Sequence, residues 1–461
     1  MFATQVYMRR REALRAALAA RGVGDGLVVL VGNGESPMNY LDNAYPFRQD
    51  SSFLYFVGIA QPGLAASIDL ASGKTRLYGD DPSMSEIVWS GPRPGLAELA
   101  GLSGIAETRR RAELASDAAA AGRLLYLPPY RAETRAELAE LSGRAYAAVD
   151  SGASLELIRA AIELREIKAE EEIAELERAV AVTVEMHKAA LVTSRAGMRE
   201  SDIVARVTQV ALASGGALSF PVIGTTKGAT LHIHSYGRTL ASGGLFLLDA
   251  GAEAPSGYAG DLTTTFPIGK RFDERQRAMY DIVLRAHAAA CAALAPGVDF
   301  LEVHLASARA IAAGLKELGL LKGEVEEAVA EGAHALFYPH GIGHMIGLDV
   351  HDMECYGEDH VGYEGRRRSA QFGLASLRLA KPLKSGMVHS VEPGLYFIPE
   401  LIAQWKAEGR HARFIAYDRL PSWLDAGGVR NEEDWLVTAS GARRLGPAFD
   451  KSPAAIESHR A

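Results

Sequence analysis

Two aspartates stand out in the sequence because each lies beside an apolar, strand-like run. Asp249 follows the apolar residues 245–248, and Asp261 precedes the β-branched and aromatic run 262–266. The turn-forming residues 255–257 lie between the runs, a pattern that predicts a β-hairpin. Paired strands would bring the two carboxylates together on one face. Buried carboxylates this close repel each other, so the pattern indicates bound divalent cations, which prefer oxygen ligands.

A single aspartate is also explained by a turn cap or a nearby arginine, so the metal hypothesis depends on further ligands. Three histidines, His340, His344 and His351, fall within one short glycine-rich segment. Imidazole at neutral pH binds metals or moves protons. Glu392 lies in an apolar run, and Glu432 begins another strand-like run. Four carboxylates and one imidazole are the right ligand set for two adjacent metal ions.

Length and composition limit the possible classes of protein. The 461 residues suit two domains, and 48% hydrophobic with 23% charged residues is typical of soluble globular proteins. A net charge of −8 argues against nucleic-acid binding. Two cysteines far apart give no disulfide framework, which favours a reducing compartment, with the cytoplasm as the default. The chain has no apolar run long enough to span a membrane.

Alternating segments in residues 1–160 predict an α/β domain. Its predicted elements are a first helix ending near Gly22, strands at 26–31, 53–57 and 124–127, a hairpin at 66–78, and helices around 108–122 and 131–142. Residues 161–461 are predicted to form a second domain. The charged segment 155–195 is expected to carry the linker and a long helix, and further helices are predicted at 200–214, 271–294 and 299–319.

The ordered set Asp249, Asp261, His344, Glu392 and Glu432 resembles the metal ligands of the pita-bread metallopeptidases, which include methionine aminopeptidase, aminopeptidase P and prolidase. The resemblance implies an N-terminal α/β domain of the creatinase/prolidase type followed by an α+β pita-bread catalytic domain. It implies that these residues bind two divalent ions, expected to be Mn²⁺ with Co²⁺, Zn²⁺ or Fe²⁺ as alternatives, and that Asp261 and Glu432 bridge them. A homodimer is expected, with a tetramer as the alternative.

The same resemblance implies roles for further residues. Glu392 would shuttle the proton of the attacking water, and His351 would stabilise the tetrahedral intermediate. The others, in chain order, are His232 on the substrate side with His234 as its alternative, His340 behind the ligands, Tyr396 in substrate binding, and Arg430 as the residue that orients the acids.

The N-terminal domain, with residues 47–58 as its opening, favours the branch that cleaves before proline. The long segment 353–388 contains Arg378, and prolidases have an arginine there that binds the carboxylate of a C-terminal proline. The resemblance therefore implies an Xaa-Pro dipeptidase acting on short proline-containing peptides, with aminopeptidase P as the alternative. Trp89 resembles an aromatic residue that reaches a neighbouring subunit, and the alternative is a core tryptophan.

Other possibilities stay open. A metal-free, creatinase-like enzyme or a non-enzymatic binding module would use the same fold, although both disagree with the intact ligand set. Asn431 replaces the usual apolar residue before a ligand, where its amide would disturb the strand or add a hydrogen bond. The three arginines at 366–368 would either attract acidic peptides to the entrance of the site or simply keep a surface loop in contact with solvent.

Overall fold

The computed structural model describes residues 2–460, which divide into two compact units. The first comprises the chain up to Arg165 together with Met353–His360, and the second comprises Glu166–Asp352 and the chain from Val361 onward. The predicted boundary after residue 160 falls inside the helix Leu155–Glu166. Within the described residues, no helix is long and apolar enough to cross a membrane.

The first unit is built on a five-stranded mixed sheet with the order β4-β3-β2-β1-β5. Strand β2 runs antiparallel to both β1 and β3. Strand β5 runs parallel to β1, and β4 runs parallel to β3. The elements are α1 (Thr4–Ala20), β1 (Leu27–Val31), α2 (Ser51–Phe56), β2 (Ala65–Asp69), β3 (Thr75–Gly79), α3 (Met84–Ser90), α4 (Leu96–Ser103), β4 (Glu107–Arg110), α5 (Leu114–Ala120), β5 (Leu124–Leu125), α6 (Ala132–Ser142) and α7 (Leu155–Glu166).

The strand predicted at 53–57 is wrong, because these residues lie in and just after the short helix α2. Asp50 caps this helix by accepting a hydrogen bond from the Phe53 backbone N–H at 2.8 Å. Gly58 follows it with a φ of 76°, a conformation that favours glycine. A short apolar run does not distinguish a buried helix from a strand, and these end signals decided between them.

The helix predicted around 108–122 is correct only in its second half. Residues 107–110 form the strand β4, whose exposure alternates along its length, and α5 begins at Leu114. The charged segment 155–195 does contain a linker and a long helix, as predicted. The break falls at residues 167–169.

The second unit contains several small sheets surrounded by helices, and one of them has the order β10-β8-β7. Its elements are α8 (Glu170–Thr193), α9 (Glu200–Ala213), β6 (Ala217–Leu218), β7 (Ile223–Thr225), β8 (Leu245–Ala250), β9 (Ala252–Glu253), β10 (Leu262–Pro267), α10 (Glu274–Ala292), α11 (Phe300–Glu317), α12 (Val325–Ala330), β11 (Val388–Val391), β12 (Gly394–Tyr396), α13 (Pro399–Ala407), β13 (Gly428–Arg430), β14 (Glu433–Val437), β15 (Ala442–Arg444) and α14 (Pro453–His459).

His187 on α8 joins this helix to the β8–β10 pair. Its Nε2 donates to the Ala250 carbonyl at 3.0 Å, and its Nδ1 accepts from the Thr264 hydroxyl at 2.9 Å. Burial, followed by the charge of Lys451, lowers the pKa of His187 to about 3. The imidazole is therefore neutral in the folded protein.

We expect His187→Gln to make the pH dependence of stability shallower. The folded pKa of His187 lies below the unfolded value of about 6.5, so its stabilising contribution is complete above that pH and is lost as the pH falls toward 3. The slope of unfolding free energy against pH should fall by about 1.4 kcal/mol per pH unit between pH 6 and pH 4. Urea denaturation across this range measures it, and parallel curves for the two proteins would contradict it.

Candidate active site

The two aspartates lie on adjacent antiparallel strands, as the hairpin prediction requires. Asp249 is in β8 opposite Thr263, and Asp261 immediately precedes β10. Both residues are buried, with 8% and 4% of their surface exposed. The connection between them is more than a turn, since it includes β9, which pairs with β6.

Glu432 lies between β13 and β14 and meets β10 through an isolated β-bridge to Thr263. The Glu432 N–H donates to the Thr263 carbonyl at 3.2 Å, and the Thr263 hydroxyl donates to the Glu432 carboxylate at 2.6 Å. Thr263 therefore holds both the backbone and the side chain of Glu432 beside Asp261.

His344 is held by reciprocal contacts with Ser390 in β11. The His344 N–H donates to the Ser390 hydroxyl at 3.1 Å, and the Ser390 N–H donates to the His344 carbonyl at 3.0 Å. Gly343 allows this approach, because a Cβ at this position would lie 2.2 Å from the Ser390 carbonyl oxygen. The His344 Nδ1 faces the Met345 carbonyl at 3.2 Å. A carbonyl only accepts, so Nδ1 carries the proton and Nε2 offers a lone pair.

Glu392 follows β11 and completes the cluster. One of its oxygens lies 3.8 Å from the His344 Nε2, and the same nitrogen is 3.5 Å from Asp261. Burial, then repulsion by Glu432, raises the pKa of Glu392 to about 8. A carboxylate with a raised pKa is suited to accept and return a proton near neutral pH.

The cluster has the properties of a metal site. Ligand atoms of Asp261, His344 and Glu432 lie within 4.8 Å of one another. Burial, then repulsion from Asp249, raises the pKa of Asp261 well above its ordinary value. Within residues 2–460 nothing bonds to the buried Oδ1 of Asp261. Hard oxygen donors, one imidazole lone pair and uncompensated negative charge fit divalent cations.

Asp249 differs from Asp261 because it already has a cationic partner. Arg430 donates to its carboxylate through Nη2, and Nε of the same arginine donates to the Thr263 hydroxyl at 3.1 Å. Arg430 Nη1 donates to the Tyr396 hydroxyl at 3.2 Å, and this hydroxyl lies 2.9 Å from the Nε2 of His340. The His340 Nδ1 donates to the Gly341 carbonyl at 2.8 Å, so its Nε2 accepts from Tyr396.

One cavity of about 600 Å³ connects nearly all the predicted site residues, a size common for small-ligand pockets. Its lining includes all five predicted metal ligands and His232, His234, His340, His351, Arg378 and Arg430. Tyr396, predicted to bind substrate, is not part of this lining and is completely buried. The structure places it behind the cavity, between Arg430 and His340.

His351 packs against His344, with ring centroids 3.9 Å apart. The next residue, Asp352, accepts a hydrogen bond from Lys168 at 2.8 Å, and both side chains are almost fully buried. The Asp352 N–H donates to the Met345 carbonyl at 2.9 Å. The backbone bond therefore closes the loop from Met345 to Asp352, which follows His344 and contains His351, and the ion pair anchors the end of that loop.

We expect Lys168→Met to destabilise the protein by about 3–5 kcal/mol, because it leaves a buried carboxylate without this counter-charge. Lys188→Met is the matched control. Lys188 pairs with Glu185 at the surface, and such pairs contribute about 0–1 kcal/mol. Urea denaturation of both variants measures the difference, and equal losses would contradict the assignment.

Two buried residues near the ligands were not identified from the sequence. Asp434 accepts the Asp261 N–H at 2.9 Å, and Lys451 donates to the carbonyls of Thr263 and Glu432. The run of acids at 432–434 was a visible signal for Asp434. Lys451 had no such signal, since it lies in the loop before α14.

Two of the three arginines at 366–368 form an ion pair or a hydrogen bond with other parts of the chain. Arg366 pairs with Asp299 at 2.8 Å, and Arg368 donates to the Leu377 carbonyl at 3.0 Å, directly before Arg378. Tyr363 donates to the same carbonyl at 2.6 Å. The loop is thus braced where it presents Arg378 to the cavity.

Two further sequence-based alternatives are decided by burial. The amide oxygen of Asn431 is buried and accepts no hydrogen bond among residues 2–460, so this oxygen does not supply the additional hydrogen bond. Trp89 is 86% exposed on α3, and the alternative of a core tryptophan is wrong.

Comparisons with known proteins agree with this geometry. The model of metallopeptidase family M24 matches residues 174–439, and that of the aminopeptidase P N-terminal domain matches residues 7–123. The chain is 30% identical over 431 residues to the Xaa-Pro dipeptidase of Homo sapiens, covering 91% of this chain and 86% of the relative. It is 29% identical over 478 residues to the Xaa-Pro aminopeptidase of Escherichia coli (strain K12), covering 98% and 97%.

The solved structure of proline aminopeptidase P II from Yersinia pestis superimposes with a TM-score of 0.82 at 28% identity, covering 100% of this chain and 99% of the other. The two-part fold predicted from the sequence, an N-terminal domain followed by a pita-bread domain, is confirmed. The extent of the family match and the carboxylate–histidine cluster lead to one conclusion: this chain belongs to metallopeptidase family M24.

Proposed function

We propose that this metallopeptidase hydrolyses the peptide bond before proline, and that its preferred substrates are Xaa-Pro dipeptides. The observation that carries the proposal is Arg378, which lines the same cavity as the carboxylate cluster. A guanidinium matches a carboxylate in charge and in hydrogen-bond geometry. Such a partner beside the scissile bond favours a substrate that ends at proline.

Asp249, Asp261, His344, Glu392 and Glu432 would hold two divalent ions, for which we propose Mn²⁺. When bound, such ions polarise the scissile carbonyl and lower the pKa of the attacking water. Asp261 and Glu432, whose ligand atoms lie close together, would supply carboxylate oxygens to these ions. Arg430 limits the negative charge of the cluster by binding Asp249 and leaves Asp261 for the cations.

The protein's own groups then move the proton and stabilise charge. Glu392 accepts a proton from the attacking water and returns it to the leaving amine, a role that suits its raised pKa. His351, whose ring packs against His344 in the same cavity, would donate to the developing oxyanion. His232 faces the substrate. His340 and Tyr396 hold Arg430 in place from behind.

The proposal extends to assembly and compartment. The exposed Trp89 on α3 supports a homodimer in which this helix contacts a second subunit. Among the described residues neither Cys291 nor Cys355 forms a disulfide, which agrees with a reducing compartment such as the cytoplasm.

Aminopeptidase P activity, which releases the first residue of longer Xaa-Pro peptides, is the second candidate. It is supported by the Escherichia coli relative and by the Yersinia pestis structure. Incubation of Mn²⁺-loaded protein with Ala-Pro and with Ala-Pro-Ala, followed by measurement of free alanine, separates the candidates. Cleavage of Ala-Pro alone supports a dipeptidase, efficient cleavage of Ala-Pro-Ala supports an aminopeptidase, and cleavage of neither by metal-loaded protein rejects both.

Arg378→Ala should raise the KM for Ala-Pro roughly 10- to 100-fold, the range expected for a lost hydrogen bond to a charged group. The KM for Ala-Pro-Ala should change much less, because its carboxylate lies one residue farther away. Arg367→Ala removes the same charge from an exposed site on the same loop and should change neither value. Equal effects of Arg378→Ala on both peptides would leave the carboxylate contact without support.

A further inference from the structure

A cluster of buried polar side chains lies in the second unit outside the candidate active site. His304 and Ser307 are on α11, His334 is in the single 3₁₀ turn at 333–336, and Tyr338 follows that turn. All four residues have no exposed surface. His304 stacks on Tyr338 with ring centroids 5.0 Å apart, and Tyr338 packs edge-on against His340. The cluster therefore lies directly behind one wall of the cavity.

The four ring nitrogens of His304 and His334 have no hydrogen-bond partner anywhere in residues 2–460. A neutral imidazole carries one donor and one acceptor, and buried groups of this kind are nearly always bonded. Each unsatisfied group lowers the folding equilibrium constant by roughly tenfold, so four together would lower it by about 10⁴. A loss of this size indicates that the cluster has partners other than protein atoms.

The two imidazoles do not satisfy each other. Their ring centroids are 6.3 Å apart, so two ring nitrogens approach no closer than about 4 Å, beyond the roughly 3 Å of a hydrogen bond. One water molecule that bonds to both rings spans about 4.5–5 Å between nitrogens. The separation of the rings therefore rules out a direct bond and leaves room for a single bridging water.

A metal ion is a poorer occupant than water. Burial lowers the pKa of His334 to about 4 and that of His304 well below its ordinary value, so both rings are neutral. The cluster of four residues contains no carboxylate, and a buried cation would lose its hydration without an opposing charge. Water supplies both donors and acceptors at no cost in charge.

We propose that His304 and His334 bind an internal water molecule between their rings, and that the hydroxyls of Ser307 and Tyr338 extend the same water site. Both hydroxyls are buried and neither makes a hydrogen bond of regular geometry among the described residues, although they lie close enough to interact with each other. The water would fix the orientation of His304, and through ring stacking that of Tyr338 against His340. The site is independent of the proposed peptidase activity.

Oxygen-17 magnetic relaxation dispersion, which counts long-lived internal waters, tests the proposal on protein loaded with diamagnetic Zn²⁺. His304→Phe keeps the ring stack and removes both nitrogens, and we expect it to lose at least one long-lived water. His187→Phe is the matched control, since both nitrogens of His187 already bond to protein atoms, and it should lose none. An unchanged count for His304→Phe would overturn the proposal.

A crystal structure of the wild-type protein tests the same site without a variant. Density for one oxygen atom within hydrogen-bond distance of both rings would support the proposal. Anomalous scattering at that position, with a third metal ion per chain by elemental analysis, would overturn it in favour of a cation. A direct bond between the two rings would overturn it as well.

Discussion

Glu392→Gln should reduce kcat by about 1,000-fold or more while the protein remains folded. Glutamine has nearly the same shape but accepts no proton at neutral pH, and general-base catalysis alone contributes about 100- to 10,000-fold. The loss should appear in kcat rather than in KM, because the proton moves only during the chemical step. Steady-state kinetics with Ala-Pro, together with circular dichroism, measures both properties.

Metal content must be measured for the same variant, because Glu392 is also a proposed ligand. A variant that retains both ions but loses turnover would assign Glu392 to proton transfer. Glu302→Gln, at an exposed position on α11, serves as the control and should be fully active. Turnover of Glu392→Gln close to that of the wild type would reject the proposed role.

Asp261→Asn should have two opposite effects, one on activity and one on stability. Activity should fall by at least about 1,000-fold, because a proposed metal ligand is lost and divalent ions would no longer bind tightly. The metal-free variant should nevertheless be more stable than the metal-free wild type. Burial and the charge of Asp249 raise the pKa of Asp261, so its contribution to stability is complete at low pH and is lost as the pH rises through the folded pKa.

Thermal melting in EDTA between pH 6 and pH 9 measures this stability, and elemental analysis measures the bound metal. The melting temperature of the variant should exceed that of the wild type by an amount that increases with pH. Added Mn²⁺ should raise the melting temperature of the wild type but not that of the variant. Asp281→Asn on α10 is the control, because Asp281 forms a surface pair with Arg277 and should contribute less than about 1 kcal/mol. If the metal-free Asp261→Asn protein is less stable than the metal-free wild type at pH 8, the ionised carboxylate of Asp261 does not destabilise the folded protein and the prediction is wrong.

We propose that a loop, rather than the metal ligands, decides between dipeptidase and aminopeptidase activity. Relatives with both names match the chain at similar identity, 30% and 29%. The ligand set is therefore insufficient to separate them. We propose that Arg378 separates the candidates, and its loop is held in place because Tyr363 and Arg368 both donate hydrogen bonds to the adjacent Leu377 carbonyl. A braced loop presents a charge at a constant position, which a selective carboxylate contact requires.

The errors in the predicted fold come from short segments. Residues 53–57 are apolar and aromatic, and such a run suits either a helix or a strand. The Asp50 cap and Gly58 favour the helix. Residues 107–110 are charged, yet they form a parallel edge strand because β3 supplies the pairing partner. Local composition does not contain that information, since β3 lies about thirty residues earlier in the chain.

The sequence by itself determined the chemistry of this protein. Acids placed within apolar runs, with one histidine among glycines, supply oxygen and nitrogen donors, and several buried acids close together repel one another unless cations lie among them. Only the tertiary structure showed which of these acids has a cationic protein partner and which has none. It assigned Arg430 to Asp249, left Asp261 without a cationic partner and set the His344 proton on Nδ1. These outcomes depend on contacts between residues far apart in the chain, which the packing of strands and loops creates and no local pattern encodes.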